Sequence, residues 1–352
     1  MSKTAVVLFN LGGPDSPKAV KPFLMNLFND RAILSLPQPF RYMLASLITA
    51  MRHGKAQGIY KHMGGKSPIL PLTSEQATAL EQQLNSQKKN PAEEFKTFVC
   101  MRYWHPMTDV VVKKVKAFAP DRVVLLPLYP QFSVTTTGSS LAEWKKQCDA
   151  QDFSVPTSAV GCYPTDKHFI AAHVKLIKEM YWKASENGKP RVLFSAHGLP
   201  QKVIDGGDPY QWQVEKTVEN LVQVLAIDEL EYAICYQSKV GKLEWIGPST
   251  EDEIKRAGAD HVPVLIVPVA FVSEHSETLV ELDIQFRQLA EQSGVEGYYR
   301  VQALNSEPFF IDALAELVRS AAPGGAEGDI QVRAAGGQRI CPAVYGKCLC
   351  NG

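Results

Sequence analysis

Val192-Leu-Phe-Ser-Ala-His-Gly198 and Val7-Leu-Phe-Asn-Leu-Gly-Gly13 share one pattern, an apolar run that enters a glycine turn. A second pair follows in the same order, Val124-Leu-Leu-Pro-Leu-Tyr-Pro-Gln-Phe-Ser133 and Val264-Leu-Ile-Val-Pro-Val-Ala-Phe-Val-Ser273. Each member of that pair is an apolar run with a proline and a final serine that could cap a helix. Two repeats in the same order indicate a duplicated unit.

Further apolar, β-branched runs alternate with amphipathic stretches along the chain. The predicted strands are 5–9, 97–101, 122–126, 191–194, 232–235 and 262–267. The predicted helices are 17–28, 73–85, 106–119, 166–184, 210–225, 274–292 and 308–320. Apolar strands separated by helices are typical of parallel sheets covered on both faces. The sequence therefore predicts an α/β fold of two similar, doubly wound, parallel-sheet (Rossmann-like) lobes, with ligands bound between them.

The predicted lobes are 1–150 and 151–320, followed by a C-terminal extension at 321–352. Three cysteines lie near the end of that extension. The stretch 321–337 is rich in Gly and Ala, and we expect a loose linker there.

Segment 36–66 interrupts the alternation in the first lobe. Its part 40–51 carries bulky apolar residues around much of a helix and precedes the basic residues Arg52, His53 and Lys55. This pattern fits either an ordinary core helix or a lip at a pocket mouth that rests on a membrane surface.

The composition excludes several classes of protein. Lys plus Arg and Asp plus Glu both number 37, so no net field favours nucleic acid. We expect no spanning helix, because no apolar run reaches about 18 residues, and no signal peptide, because the start lacks its features. Seven cysteines without a secretion signal favour a reducing, cytoplasmic location over a disulfide scaffold.

The first candidate for chemistry is the motif Ser195-Ala-His-Gly-Leu-Pro200, directly after a predicted strand. Neutral imidazole is both a metal ligand and a base near neutral pH. A histidine at a strand end is often structural. Here the matching place in the first repeat is Gly12, and a residue needed only for folding would be expected in both copies.

The second candidate is the acidic segment Ser273–Asp283. At helical spacing, Glu274, Glu277 and Glu281 fall on one face, and His275 adds a nitrogen ligand. Crowded carboxylates can hold a divalent cation or pass protons. The alternative is a solvated acidic face at a helix start, where Glu is favoured.

Two further segments combine aromatic rings with cations after predicted strands. They are Met101-Arg-Tyr-Trp-His105 and the segment Tyr236–Pro248. Each alone could be aromatic packing beside a surface charge. Together they indicate a pocket for a large, planar, apolar ligand whose carboxylates meet Arg102 or Lys239.

These blocks resemble the ferrochelatase family, in family order, over nearly the whole chain. The matching motifs are VLFNLGGP, MGGKSPI, RYWHP, YPQFSVTTTGSS, LFSAHGLP, GDPY, YQSKVG, WIGP and HSETLVELD. The resemblance implies the class II chelatase-like fold with a porphyrin cleft between the lobes. It also implies a lyase of haem biosynthesis that inserts its substrate Fe(II) into a porphyrin and needs no nucleotide.

The resemblance assigns roles to residues at the matching positions. It implies His197 and Glu277 as catalytic residues and metal ligands, pointing from opposite lobe surfaces into one slot. The further metal-site positions are His275, Glu281 and Glu274. The porphyrin-binding positions are Arg102, Tyr103, Tyr60, Ser67, Trp245 and Phe271. The pocket would favour a distorted porphyrin, and His197 would accept pyrrole protons or guide iron.

Some members of the family carry a two-iron two-sulfur cluster on three C-terminal cysteines and one earlier cysteine. The matching residues here are Cys341, Cys348 and Cys350, with Cys162 as the earlier ligand. Cys148 is a weaker choice for that ligand, and Cys100 and Cys235 lie within predicted strands. The alternative is three exposed thiols or an adventitious zinc site.

Several functional alternatives stay open. The opening blocks resemble protoporphyrin enzymes of Gram-negative bacteria, so we expect protoporphyrin IX, with coproporphyrin as the alternative substrate. Rival functions are insertion of cobalt or nickel into another tetrapyrrole and a non-catalytic porphyrin or haem carrier. We expect a monomer or homodimer, with peripheral contact to the inner face of the plasma membrane and no nucleic-acid partner.

Overall fold

Two parallel β-sheets form the framework of the protein. In the computed structural model, which describes residues 2–88, 90–241, 243–321 and 328–350, all nine strands pair in parallel. The first sheet contains β1 Ser2–Asn10, β2 Glu93–Met101, β3 Arg122–Pro127, β4 Thr157–Cys162 and β9 Ile330–Ala334. The second contains β5 Arg191–His197, β6 Tyr232–Gln237, β7 Val264–Pro268 and β8 Tyr298–Arg300.

The strand orders of the two sheets match. They are β2-β1-β3-β4-β9 and β6-β5-β7-β8, so the first four strands of each sheet have the same arrangement. The first sequence repeat falls on β1 and β5, and the second falls on β3 and β7. β7 and most of β1 and β5 are buried, as expected for strands covered on both faces. The predicted fold of two similar α/β lobes is confirmed.

Helices connect the strands. They are α1 Val20–Phe28, α2 Phe40–Lys61, α3 Ile69–Ser86, α4 Thr108–Phe118, α5 Ser139–Ala150, α6 Lys167–Ala184, α7 Gln201–Asp205, α8 Tyr210–Leu225, α9 Thr250–Ala259, α10 Arg287–Gln292 and α11 Pro308–Ser320. Two π-helices follow the matching strands β3 and β7, at Val134–Gly138 and Glu277–Phe286. The helix predicted at 274–292 therefore begins three residues later, as a π-helix that continues into α10. Such segments often occur at functional sites.

The tail is more ordered than its composition indicates. The prediction of a loose linker at 321–337 is wrong for β9, which pairs with β4 from Thr157 against Ile330 to Cys162 against Ala334. This pairing gives hydrogen-bond partners to the backbone groups of β4 on the edge that faces away from β3. Residues 322–327 of the predicted linker lie outside the described residues.

The chain divides into two compact units. The first comprises the described residues of Met1–Cys162, Leu314–Ile340 and Leu349–Gly352. The second comprises those of Tyr163–Ala313 and Cys341–Cys348. The predicted boundary at residue 150 precedes β4, whereas β4 pairs with β3 and belongs to the first unit. The predicted separate extension is instead divided between the units.

Helix α2 exposes its bulky apolar side chains. Among its residues, only Ala45, Thr49 and Tyr60 are buried. Its exposed large side chains are Phe40, Tyr42, Met43, Leu47 and Met51. The interpretation of 40–51 as an ordinary core helix is therefore wrong. Among the described helices, none is long and apolar enough to cross a bilayer.

Candidate active site

His197 is the last residue of β5, at the carboxyl edge of the second sheet. β5 lies between β6 and β7, so the chain leaves β5 toward one side and later returns on the other. Such a topological switch point is where open α/β sheets bind ligands. The imidazole keeps 36% of its surface exposed, so a ligand can reach it.

The carboxylate of Glu277 binds this imidazole directly. Glu277 Oε2 lies 2.8 Å from His197 Nδ1. Burial acts to lower the pKa of His197, but the charge and hydrogen bond of Glu277 outweigh burial and raise it. Burial acts to raise the pKa of Glu277, and the neighbouring His197 reverses this to a net lowering. The interaction therefore favours the ionised form of both groups.

The predicted placement of these two residues on opposite lobe surfaces is wrong. Both His197 and Glu277 belong to the second unit. His197 ends β5, and Glu277 begins the π-helix that follows the neighbouring strand β7. Since the carboxyl ends of neighbouring parallel strands meet at one sheet edge, their side chains meet there too.

Ser238 links Glu277 to a second carboxylate. Its hydroxyl oxygen lies 2.6 Å from Glu281 Oε2 and 3.2 Å from Glu277 Oε2, so its one hydrogen is shared between the two carboxylates. Its backbone N–H donates to Glu281 Oε1 at 2.9 Å, and Gln237 Nε2 donates to Glu281 Oε2 at 3.1 Å. Burial and then the charge of Glu277 raise the pKa of Glu281. Two neighbouring carboxylates thus have pKa values moved in opposite directions.

The other two predicted metal-site residues occupy different surroundings. His275 is buried, its Nδ1 has no hydrogen-bond partner among the described residues, and its ring meets Phe271 edge-on at 4.7 Å. Burial lowers the pKa of His275 and favours the neutral ring. Glu274 accepts hydrogen bonds from Arg300 Nη1 and the Ala303 N–H, both at 2.9 Å.

Glu274 is therefore paired with Arg300 inside the fold, whereas Glu277 is paired with His197. It precedes the π-helix, so the helical spacing that grouped it with Glu277 and Glu281 does not apply. Across the part of the chain that the structure describes, no three His, Cys, Asp or Glu side chains are grouped to hold a metal ion. The predicted five-residue metal set is thus not assembled as such.

Arg102 and Tyr103, predicted to face a porphyrin, converge on a buried carboxylate in the first unit. Asp30 Oδ2 accepts hydrogen bonds from Arg102 Nη2 at 2.9 Å and from the Tyr103 hydroxyl at 2.8 Å. The Ser139 hydroxyl also donates to Asp30. Tyr103 is buried, and the Arg102 side chain is 17% exposed.

The remaining predicted porphyrin positions fall into two groups. Tyr60 packs in the same apolar cluster as Tyr103, and the buried Ser67 Oγ accepts the Ile69 N–H at 3.3 Å. Trp245 lies beside the residue after His197, because a Cβ on Gly198 would be 3.2 Å from its ring. Phe271 contacts His275.

Trp245 therefore lies beside the turn that follows His197, and Phe271 lies beside His275. Tyr60 and Ser67 belong to the first unit.

The four predicted cluster cysteines are all buried, so the alternative of exposed thiols is wrong. Cys162 Sγ and Cys350 Sγ lie 4.0 Å apart, which is too far for a disulfide. Two thiolates on one tetrahedral metal, each bound at about 2.3 Å, lie roughly 3.8 Å apart, so this pair fits shared ligation. In the second unit, Gln213 Nε2 donates to Cys341 Sγ at 2.9 Å.

Sequence reasoning missed Asp30, Ser139 and Ser238. Asp30 had one usable signal, because it follows the end of α1, where the helix dipole disfavours an acidic residue. Ser238 lies within the YQSKVG motif, but its left-handed backbone, with φ of 66°, has no sequence signal. A serine in that conformation is uncommon and here aims two donors at one carboxylate.

Comparisons with known proteins agree with the resemblance. A family model described as Ferrochelatase matches residues 3–322. A ferrochelatase of Caulobacter vibrioides is 53% identical over 352 residues, covering 99% of this chain and 98% of that protein. A ferrochelatase of Rickettsia bellii is 48% identical over 348 residues, covering 99% and 95%.

One solved structure shows the same fold at low sequence identity. It is SirB from Bacillus subtilis with Fe3+, which has a TM-score of 0.50 and 13% identity and covers 92% of this chain and 96% of that chain.

Proposed function

The chain belongs to the ferrochelatase family, and from this premise we propose that it inserts Fe(II) into protoporphyrin IX to give protohaem, the terminal step of haem biosynthesis. As a ferrochelatase it is a metal chelatase with porphyrin and ferrous iron as substrates. The single observation that carries the proposal is the hydrogen bond between His197 and Glu277 at the switch point. Metal insertion releases the pyrrole protons, and this pair is an oriented base.

His197 accepts a pyrrole proton in this mechanism. Because Nδ1 donates to Glu277, the neutral imidazole presents Nε2 as its acceptor. The imidazolium formed is then stabilised by the Glu277 carboxylate, as in other oriented histidine bases. The alternative role, guiding iron, would use the same Nε2 lone pair.

Glu281 provides a further proton acceptor behind the pair. Its raised pKa gives it a higher proton affinity than Glu277, and the Ser238 hydroxyl bonds both carboxylates. A proton can then move from the imidazole side toward Glu281 through groups already in hydrogen-bond contact. His275, neutral and adjacent, adds a softer donor for ferrous iron.

The porphyrin itself must be distorted for its nitrogens to bind a metal from one face. In the proposal, apolar contacts pay for this strain, since only interactions stronger in the transition state accelerate insertion. Trp245, beside Gly198, and Phe271, beside His275, supply the ring surfaces.

An anaerobic insertion assay tests the proposal. Purified protein receives Fe(II) with protoporphyrin IX or coproporphyrin, and absorption bands report insertion. Cobalt or nickel with another tetrapyrrole tests the rival chelatase function. We expect faster turnover with protoporphyrin IX than with coproporphyrin. Faster turnover with coproporphyrin would mean that coproporphyrin is the substrate.

A histidine substitution separates enzyme from carrier. His197→Ala should abolish insertion and leave porphyrin affinity, while His62→Ala, at an exposed position, should change neither. A wild-type protein that binds porphyrin but inserts no metal would be a carrier.

The four buried cysteines Cys162, Cys341, Cys348 and Cys350 are proposed to hold a two-iron two-sulfur cluster. Burial and the 4.0 Å approach of Cys162 and Cys350 support this. Bound there, the cluster would supply four metal–thiolate links in the fold. Visible absorption and electron paramagnetic resonance should show it, and Cys350→Ser should remove the signal.

Cys148→Ser, a buried control within α5, should keep the cluster signal. An adventitious zinc site would give no colour and no paramagnetic signal after reduction.

We propose that the protein is cytoplasmic and that its helix α2 contacts the inner face of the plasma membrane. Met43 and Leu47 are 64% and 57% exposed, and the basic residues Arg52 and Lys55 follow on the same helix. Apolar insertion combined with attraction to anionic lipid is the usual basis of interfacial binding. Co-sedimentation with anionic vesicles should fall for Leu47→Glu at unchanged thermal stability. Equal sedimentation of both proteins would refute the contact.

A further inference from the structure

The carboxylate of Asp30 is the meeting point of four donors. It lies just beyond α1 and is 8% exposed. Arg102 Nη2, the Tyr103 hydroxyl and the Ser139 hydroxyl donate to Oδ2, and the Ala32 N–H donates to Oδ1 at 2.9 Å. A carboxylate has about four acceptor sites, so Asp30 is saturated by the fold.

Asp30 fixes the two residues that follow β2. The backbone N–H groups of Arg102 and Tyr103 continue the sheet edge by donating to Asn10 O and Leu11 O, both at 2.9 Å. Their side chains are held separately, by Asp30, and the Arg102 guanidinium lies 5.0 Å from the Tyr103 ring centroid. Asp30 is thus the hydrogen-bond acceptor that the two side chains share.

The guanidinium of Arg102 is only partly used by these contacts. Nε donates to the Ser139 hydroxyl at 2.8 Å and Nη2 to Asp30, whereas Nη1 has no partner among the described residues. The side chain is 17% exposed. Arg102 is thus an oriented cation with one donor nitrogen left for an anionic ligand.

We propose that Asp30 is a positioning residue for the porphyrin substrate, holding Arg102 so that Nη1 meets a propionate carboxylate. The inference rests on the proposed function, because it takes the substrate to be a porphyrin dicarboxylate. Asp30 itself touches no substrate. Its carboxylate orients the guanidinium and keeps Tyr103 packed beneath it, so that binding does not have to order the Arg102 side chain.

Steady-state kinetics of Asp30→Asn test the proposal. We expect the KM for porphyrin to rise about tenfold, the loss of one well-placed charged contact, with kcat and the KM for metal unchanged. In an Arg102→Met background the same substitution should change the porphyrin KM no further, because the group it positions is gone. The charge-matched control Asp149→Asn, at an exposed ion pair of the same unit, should behave as wild type.

Three outcomes would overturn the proposal. An unchanged porphyrin KM with lower thermal stability would make Asp30 merely structural, and an equal KM increase in the Arg102→Met background would exclude action through Arg102. If Asp30→Asn does not fold, Ser139→Ala, which removes a donor to Asp30 and an acceptor for Arg102, should give a smaller KM increase of the same kind; no increase there would also overturn it. A wild-type protein without insertion activity would instead refute the proposed function.

Discussion

Replacing Glu277 by Gln tests whether the carboxylate tunes the base. The pair is partly solvated, at 36% and 29% exposure, so the lost charge-assisted hydrogen bond amounts to about 1–2 kcal/mol. Since about 1.4 kcal/mol corresponds to one pH unit in a pKa, the pKa of His197 should fall by about one pH unit. His197 must be deprotonated to accept a proton, so the acidic limb of kcat/KM should move to lower pH by the same amount. The plateau should also drop, by about 100-fold, because a weaker, unoriented base remains.

The assay is anaerobic porphyrin metallation followed by absorbance across pH, with two glutamate controls. Glu274→Gln should leave the limb in place, because that carboxylate binds Arg300. Glu281→Gln should move the limb in the same direction by less, because Glu281 acts on His197 only through its charge. A limb that stays fixed in Glu277→Gln, or moves to higher pH, would refute the reasoning.

The same variant should change stability within a defined pH window. The raised pKa of His197 stabilises the fold below its ordinary value of 6.5, and this contribution is lost as pH rises through the folded pKa. The lowered pKa of Glu277 stabilises the fold above its ordinary value of 4.5 and is lost as pH falls through the folded pKa. Both contributions are present between pH 4.5 and 6.5. Urea unfolding of Glu277→Gln should therefore show the largest loss of unfolding free energy in that range and a smaller loss at pH 9.

Two further substitutions have clear structural consequences. Gly161→Ala should displace Cys350, because a Cβ at residue 161 would overlap the Sγ of Cys350, and should therefore lower the iron content of the purified protein. The control Gly54→Ala, whose new Cβ faces open space, should keep the iron. Equal iron content in the two variants would exclude Cys350 as a ligand. Arg300→Met should destabilise the protein by about 3–5 kcal/mol in urea unfolding, because it leaves Glu274 as a buried charge without its cation. A loss below about 1 kcal/mol would mean that the ion pair between Arg300 and Glu274 contributes little to stability.

The fold and the central pair follow from local sequence patterns. His197 was predicted from a strand running into a glycine turn, and Glu277 from an acidic helix start after the next repeat. Both signals span a few residues, and parallel-sheet topology then brings the strand ends together. The duplication was readable because both copies keep an apolar strand that runs into a glycine turn.

What sequence could not give depends on contacts between distant segments. Asp30 meets Arg102 across 72 residues and Ser139 across 109, and no local periodicity encodes either contact. β9 pairs with β4 although its five residues include a Gln and an Arg, so composition favoured a linker. Glu274 was misplaced because a π-helix start cannot be distinguished from an α-helix start by charge spacing.

The two matching units carry different chemistry at equivalent positions. The first repeat places Gly12 where the second has His197. Counting from the serines of the second repeat, Thr137 corresponds to Glu277 in the two π-helices. The acid–base pair is therefore confined to the second unit, although both units share strand order and π-helix position.

The backbone of the first unit fixes this difference. Gly12 has a φ of 81°, and a Cβ there would lie 3.0 Å from Met101 Cβ and 3.2 Å from the Trp104 backbone nitrogen. A histidine at residue 12 would therefore be strained in its backbone and crowded by the segment that follows β2. That segment carries Arg102, which Asp30 holds as a cation. The close turn at Gly12 thus leaves no room for a histidine in the first unit, and the imidazole–carboxylate pair is built in the second unit, at the end of β5.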